Sequence, residues 1–142
     1  MKIRVSVVED FVAIHLLNSF GLGYDHPLEK TKKRLAYILS LPGTKFLVAE
    51  VDGIVVGYIH ATDYDCSYSE SLKSIISLAV DEEYRGQGIG RALVAAIEKW
   101  AYSTGASGVR LVTSNFRKDA HKFYESCGYT IRREQINYIK LF

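Results

Sequence analysis

Three glycines recur at alternate positions in Arg85-Gly86-Gln87-Gly88-Ile89-Gly90. Glycine takes backbone conformations closed to other residues and approaches a ligand closely, so several N–H groups can converge on one spot. Ile89, Leu93, Ile97 and Trp100 follow as one apolar stripe of helical period. The first turn of that helix adds unpaired N–H donors and the positive end of the helix dipole. An anion, most simply a phosphate, suits such a place. Arg85 and Arg91 add positive charge on either side. A tight strand-to-helix connection with no ligand would use fewer glycines. A Walker A loop needs Gly-Lys before Ser or Thr, whereas Gly90 precedes Arg91-Ala92. The spacing also differs from the G-x-G-x-x-G of dinucleotide folds. Nucleotide hydrolysis and hydride transfer are therefore poor readings.

The elements that must carry this turn follow from periodicity and punctuation. Lys2 to Val8 reads as a first strand. Asp10 can cap a short helix with Phe11, Ile14 and Leu17 inward. Asn18 to His26 holds two glycines and reads as loop. Pro27 suits the first turn of a second helix ending near Leu39, with Leu28, Leu35 and Ile38 inward. Thr44–Val51 and Ile54–Thr62 flank Asp52-Gly53, a dipeptide favoured in type I′ hairpin turns. A polar loop over Asp63–Ser71 leads to a strand at Leu72–Val80. The long helix covers Gly88–Thr104, with Gly105 as its stop. A fifth strand at Val109–Thr113 precedes a short helix at Asp119–Ser126, and two strands follow at Tyr129–Arg133 and Asn137–Leu141. The order β-α-α-β-β-β-α-β-α-β-β defines an α/β (α+β) chain.

Composition excludes several classes. At 142 residues, with 48% hydrophobic and 24% charged residues, the chain fits one soluble globular domain over residues 1–142. A formal net charge of +2 is no nucleic-acid footprint. Lys30 to Arg34 places four cations in five residues, which reads as a solvated helix face. No apolar run is long enough to span a membrane, and the start lacks a signal-peptide core. Two cysteines without Cys-x-x-Cys spacing suit a reducing cytosol and argue against a zinc site or disulfide framework. The histidines show no paired metal spacing.

Two stretches together resemble a known family. Arg85-x-x-Gly88-x-Gly90 matches the pyrophosphate-binding signature of the GNAT N-acetyltransferases. Ala120-His121-Lys122-Phe123-Tyr124-Glu125-Ser126-Cys127-Gly128-Tyr129, after Thr113-Ser114-Asn115, is similar to that family's late helix and following strand. The element order agrees throughout, and the likeness is strong from about Ser74 to Tyr129. It is nearest the small-amine and aminoglycoside branch. The resemblance implies one mixed, mostly antiparallel sheet of six to seven strands with about four helices. It also implies an enzyme that moves an acetyl group from acetyl-CoA directly to a primary amine, which the cysteine usage would place in the cytoplasm. Carried over, backbone groups of Leu78, Ala79 and Val80 would pair with the pantetheine arm. Those of Arg85, Gly86, Gln87, Gly88, Ile89, Gly90 and Arg91 would hold the pyrophosphate. Asn115 would bond the pantetheine, and Lys122 would lie near the adenosine phosphates. Relatives are often dimers, which leaves a homodimer open.

The reaction makes further demands. A neutral amine attacks a thioester, an oxyanion develops, and a thiolate leaves. Backbone donors near Val80 suit the oxyanion. A phenol, titrating near pH ~10 against ~8.5 for a thiol, stays protonated and can serve as acid for the thiolate. Tyr124 stands at the family's position for that acid, although it also belongs to an apolar stripe with Ala120, Phe123 and Cys127. Many relatives carry a Glu base on the fourth strand, where this chain has Ser77. Serine cannot take the proton at neutral pH, so the base stays open. His60, Asp63, Glu70, Asp25 and His26 are candidates, each with a surface role as the plainer reading. Asp10, Asp25, Glu29, Asp63, Asp65 and Glu70 could attract a cationic small-molecule acceptor. A peptide amine is the second choice of acceptor. A non-catalytic acetyl-CoA sensor or scaffold is the alternative, and Ser77 is its main support.

Overall fold

The computed structural model describes residues 1–142, which form two compact units, Met1–Leu111 and Val112–Phe142. The first holds a five-stranded sheet in the order β1-β2-β3-β4-β5. Its strands are β1 (Lys2–Val5), β2 (Thr44–Val51), β3 (Ile54–Tyr64), β4 (Leu72–Val80) and β5 (Val109–Leu111). The first three pairings are antiparallel and β4–β5 is parallel. Asp52 and Gly53 turn the β2–β3 hairpin at φ 51° and 77°, as the Asp-Gly dipeptide requires.

Helices cover both faces. On one side lie α1 (Phe11–Leu16), a π-helical turn (Leu17–Leu22) and α2 (Leu28–Ser40). Their Ile14, Leu17 and Leu35 pack with Phe46, Val48, Tyr58 and Ala79 of the sheet. The other side receives α3 (Ile89–Ser103), whose Ile89, Leu93, Val94 and Ile97 are buried. Gly57 is the contact point there. A Cβ on it would come within 3.4 Å of both Ile89 Cγ2 and Leu93 Cδ1, so its missing side chain lets α3 sit down on β3.

The β3–β4 ladder is broken at one place. His60 pairs with Ser77 and Ala61 with Ile75, which leaves Ile76 without a partner. A bulge of this kind bends the strand and disrupts pairing locally. The parallel β4–β5 ladder ends at the adjacent pair, Ile75 with Leu111. Beyond it β4 runs on from Ile76 to Val80 with β3 as its strand neighbour.

Several expectations need correction. The first strand stops at Val5, because Val8–Asp10 turns into a 3-10 segment that Asp10 ties back through Val7 N–H. The glycine-containing stretch after Leu17 is helical as far as Leu22, since burial of Leu17 outweighs the local preference for loop. Leu28 is exposed at the entry of α2, where Pro27 is the cap. Strands were expected at Tyr129–Arg133 and Asn137–Leu141, but residues 129–142 form none, so the sheet has five strands. Alternating apolar residues make a strand only where a neighbouring edge takes their hydrogen bonds. The second unit contains α4 (Lys118–Ser126), and its Ile131, Ile136, Tyr138 and Ile139 are exposed.

Candidate functional site

The glycine turn lies between the end of β4 and α3. Gly86 and Gly88 sit at φ 78° and 83°, and a Cβ on either would meet nothing within 4 Å. Both glycines thus supply a left-handed backbone beside open space, which fits a close-approaching ligand. The first helical bond runs from Ala92 N–H to the Gly88 carbonyl at 3.0 Å. The N–H groups of Ile89 and Gly90 therefore precede the helix ladder and point out of its N-terminus. Arg85 is held differently from the expectation. Its N–H donates to Glu82 O at 3.3 Å in a 3-10 turn, and its Nε donates to Val80 O at 3.2 Å. That N–H is engaged, and the guanidinium ties the turn to the end of β4. Leu78, Ala79 and Val80 lie on the stretch of β4 that continues past β5.

On the opposite face of the sheet a pocket of about 160 Å³ opens between α1, α2 and the strands. Asn18, Tyr58, His60 and Ser77 contribute polar groups to it, and Arg34 and His26 are its exposed residues. The sheet register puts these groups together: Phe46 faces His60, and His60 faces Ser77. Residues directly opposite in antiparallel strands share a face. Tyr58, two residues before His60, is on that face too, and its hydroxyl donates to Asn18 Oδ1. Burial pushes the Tyr58 phenol up against the opposing pull of a hydrogen bond with Ser77, so it stays protonated. His60 stacks on Phe46 at 5.1 Å between ring centroids. Its Nε2 is buried without a hydrogen-bond partner. Burial lowers the imidazole to about 4, which leaves it neutral near pH 7.

No carboxylate lines this pocket. Asp10 belongs to a structural cluster: both oxygens accept from Arg4 at 2.9 Å, and Ser6 Oγ and Val7 N–H donate to Oδ2. Burial pushes its carboxyl up, but those bonds outweigh it and the net shift is downward. Asp63 pairs with the buried ammonium of Lys73, which also lies 4.2 Å from the Trp100 ring centroid. None of the six carboxylates expected to attract a cationic acceptor, Asp10, Asp25, Glu29, Asp63, Asp65 and Glu70, lines this pocket. Periodicity assigns Tyr58 to the hairpin and Arg34 to a solvated face and links neither to a site. The signal lay in β3, where a histidine follows a tyrosine two positions on, facing the apolar side.

Tyr124 and Lys122 are on α4, and Asn115 precedes it. Tyr124 is half-buried and packs edge-on against Phe123 and Tyr129. Burial raises its phenol to about 12, with Arg117 pulling the other way. Asn115 and Lys122 are exposed. His121 Nε2 lies 2.9 Å from the Ser114 carbonyl, a contact that fastens the start of α4 to the preceding turn.

A mixed sheet whose fourth strand outruns its parallel neighbour, followed by a glycine turn and a helix N-terminus, defines an acetyltransferase-like fold. The chain belongs to the acetyltransferase (GNAT) family, whose model matches residues 9–129. Among curated proteins, human N-acetyltransferase 8B is 40% identical over 92 residues, which cover 64% of this chain and 40% of that protein. Human N-acetylaspartate synthetase is 34% identical over 93 residues, covering 66% of this chain and 30% of that protein. The chain thus spans less than half the length of either relative. An aminoglycoside N-acetyltransferase solved in complex with CoA matches with a TM-score of 0.87 and 20% identity, over 98% of this chain and 93% of that one. A putative acetyltransferase from Agrobacterium tumefaciens matches with a TM-score of 0.85 and 23% identity, over 99% and 100%. No helix is long and apolar enough to cross a membrane.

Proposed function

We propose that the chain is a single N-acetyltransferase domain that moves the acetyl group of acetyl-CoA directly to the primary amine of a small molecule. One observation carries this: the stretch Ile76–Val80 leads, without a parallel partner, into a turn whose Gly86 and Gly88 leave open space beside the N–H groups of α3. Bound acetyl-CoA supplies the activated acetyl thioester. Leu78, Ala79 and Val80 offer backbone groups to the pantetheine arm. Gly86, Gln87, Gly88, Ile89, Gly90 and Arg91 surround the pyrophosphate, with the Arg85 guanidinium as a brace. Asn115 and Lys122 are further contacts for the pantetheine and the adenosine phosphates. Tyr124, whose half-buried phenol is protonated near pH 7, gives its proton to the departing sulfur.

The pocket at Tyr58 and His60 receives the acceptor. Its 160 Å³ is below the ~300 Å³ at which sites for drug-sized ligands begin, which favours a small amine or one narrow end of a larger one. Its lining has one arginine, two histidines and no carboxylate. That favours an amine carrying its own anionic group over a polycation. The relative named for N-acetylaspartate, an acetylated amino acid, is consistent with this preference. The test is acetyl-CoA-dependent thiol release by the purified protein with amino acids, aminoalkylphosphonates, polyamines, aminoglycosides and short peptides. Release with small anionic amines supports the reading. Equal or better release with polycations overturns the acceptor preference. No release with any amine, while CoA binds, identifies a binding module instead.

A further inference from the structure

Serine occupies the fourth-strand position at which many relatives carry a carboxylate base, and the sequence leaves five candidates, His60 among them, without choosing between them. The residue directly opposite Ser77 across the β3–β4 ladder is His60. His60 lines the pocket that Ser77 also lines, and its Nε2 is buried with no hydrogen-bond partner. Leaving a buried nitrogen unpaired costs stability that any structural hydrogen bond would recover. Such an orphan is explained when a ligand supplies the missing donor. With the ring proton on Nδ1, Nε2 presents a lone pair that can accept only from an N–H or O–H.

We propose that His60 Nε2 is the proton acceptor for the amine substrate, replacing across the strand pair the acid that Ser77 lacks. This rests on the transferase reading above. As the amine nitrogen bonds to the acetyl carbon, the nitrogen becomes acidic and its proton passes to Nε2. The carbon–sulfur bond then breaks with its electron pair on sulfur, which takes the Tyr124 proton. The imidazolium returns its proton to solvent, and Tyr124 is reprotonated.

The surroundings keep the ring neutral, so its nitrogen lone pair is not already protonated. Stacking on Phe46 restrains the plane of the ring. The titratable and charged groups facing the pocket are Tyr58 from β3, Arg34 from α2 and His26 from the segment before it. None is an acid that would hold the imidazole protonated. A neutral ring is thus ready to accept, and a bound ammonium is disfavoured beside Arg34. Neutral amine is the form that can attack.

The experiment compares wild type with His60→Ala, His60→Gln and His60→Ala/Ser77→Glu. Turnover is measured over pH with the best amine from the panel, alongside CoA affinity. For the wild-type protein labelled with ¹⁵N-histidine, the Nε2 resonance is followed as that amine is added to the CoA complex. The expected results are a roughly 10²-fold lower kcat in His60→Ala, on the scale of a lost general base, and unchanged CoA affinity. His60→Gln keeps a hydrogen-bond acceptor but cannot bind the proton, so it keeps the amine KM and loses kcat. Ser77→Glu restores part of the activity of His60→Ala, with a pH profile shifted toward a carboxylate. The Nε2 signal moves as the amine binds. Wild-type activity in His60→Gln, or an Nε2 signal unmoved by an amine that turns over, overturns the proposal and leaves the transferase reading intact. No thiol release by the wild type with any amine overturns both.

Discussion

The phosphate reading of the glycine turn can be tested by charge alone. Gly88 has φ 83°, a conformation that Asn and Asp tolerate better than most residues, and a Cβ there meets nothing within 4 Å. Gly88→Asn and Gly88→Asp therefore share one backbone cost, about 1–2 kcal/mol. For a chain of this size that corresponds to melting about 3–8 °C lower in both variants. They differ only in a carboxylate. Placed roughly 5 Å from a pyrophosphate charge, it repels by about 0.8 kcal/mol in a water-like medium and about 3 kcal/mol at a surface dielectric of ~20. The aspartate variant should bind CoA roughly 4- to 250-fold more weakly than the asparagine variant. Calorimetric titration with CoA at two ionic strengths checks this, and added salt should narrow the gap. Dephosphorylated pantetheine, which lacks the pyrophosphate, should not distinguish them. Equal affinity of the two variants for CoA, with both folded, would refute the phosphate assignment.

Tyr124→Phe should lower turnover by roughly 10- to 1,000-fold, the scale of a lost general acid, with CoA affinity unchanged. Full activity would return Tyr124 to a packing role. Gly43→Ala should be costly, because φ is 69° and its Cβ would collide with the Asp63 carboxylate that pairs with buried Lys73. Backbone strain of about 1–2 kcal/mol and a lysine partly deprived of its partner, about 1–3 kcal/mol, predict melting roughly 5–15 °C lower. Gly53→Ala, with φ 77° and open space, should show only the first effect. Acid titration of stability tests His60. Its folded pKa of about 4 lies below the unfolded value of about 6.5, so the unfolded chain binds the proton first. Stability should fall as pH drops from about 6.5 toward 4, and less so in His60→Gln. Asp10 has its folded pKa lowered, so its contribution is present above its unfolded value and is lost at still lower pH.

Local chemistry made much of this protein legible in its sequence. Asp52-Gly53 specifies a left-handed turn, and the structure places the hairpin there. The 3.6-residue stripe of Ile89, Leu93 and Ile97 specifies α3, and all three are buried. The glycines of the turn announced a backbone that other residues avoid, which Gly86 and Gly88 adopt. Those signals are short-range, so a sequence carries them whole. The pocket lined by His60 and Ser77 is different in kind. His60 and Ser77 are 17 positions apart, and only the β3–β4 register, offset by the bulge at Ile76, brings them face to face. Nor did composition distinguish a free carboxylate from one already bonded, as Asp10 is to Arg4 and Asp63 to Lys73. The strands expected after Tyr129 failed for the same reason, since alternation supplies a strand's side chains but not the edge that must receive its hydrogen bonds. Local periodicity and turn chemistry determined the elements and the glycine turn before α3. Strand register, burial and the pairing of charges, all long-range, decided which polar groups line the pocket and which merely hold the fold.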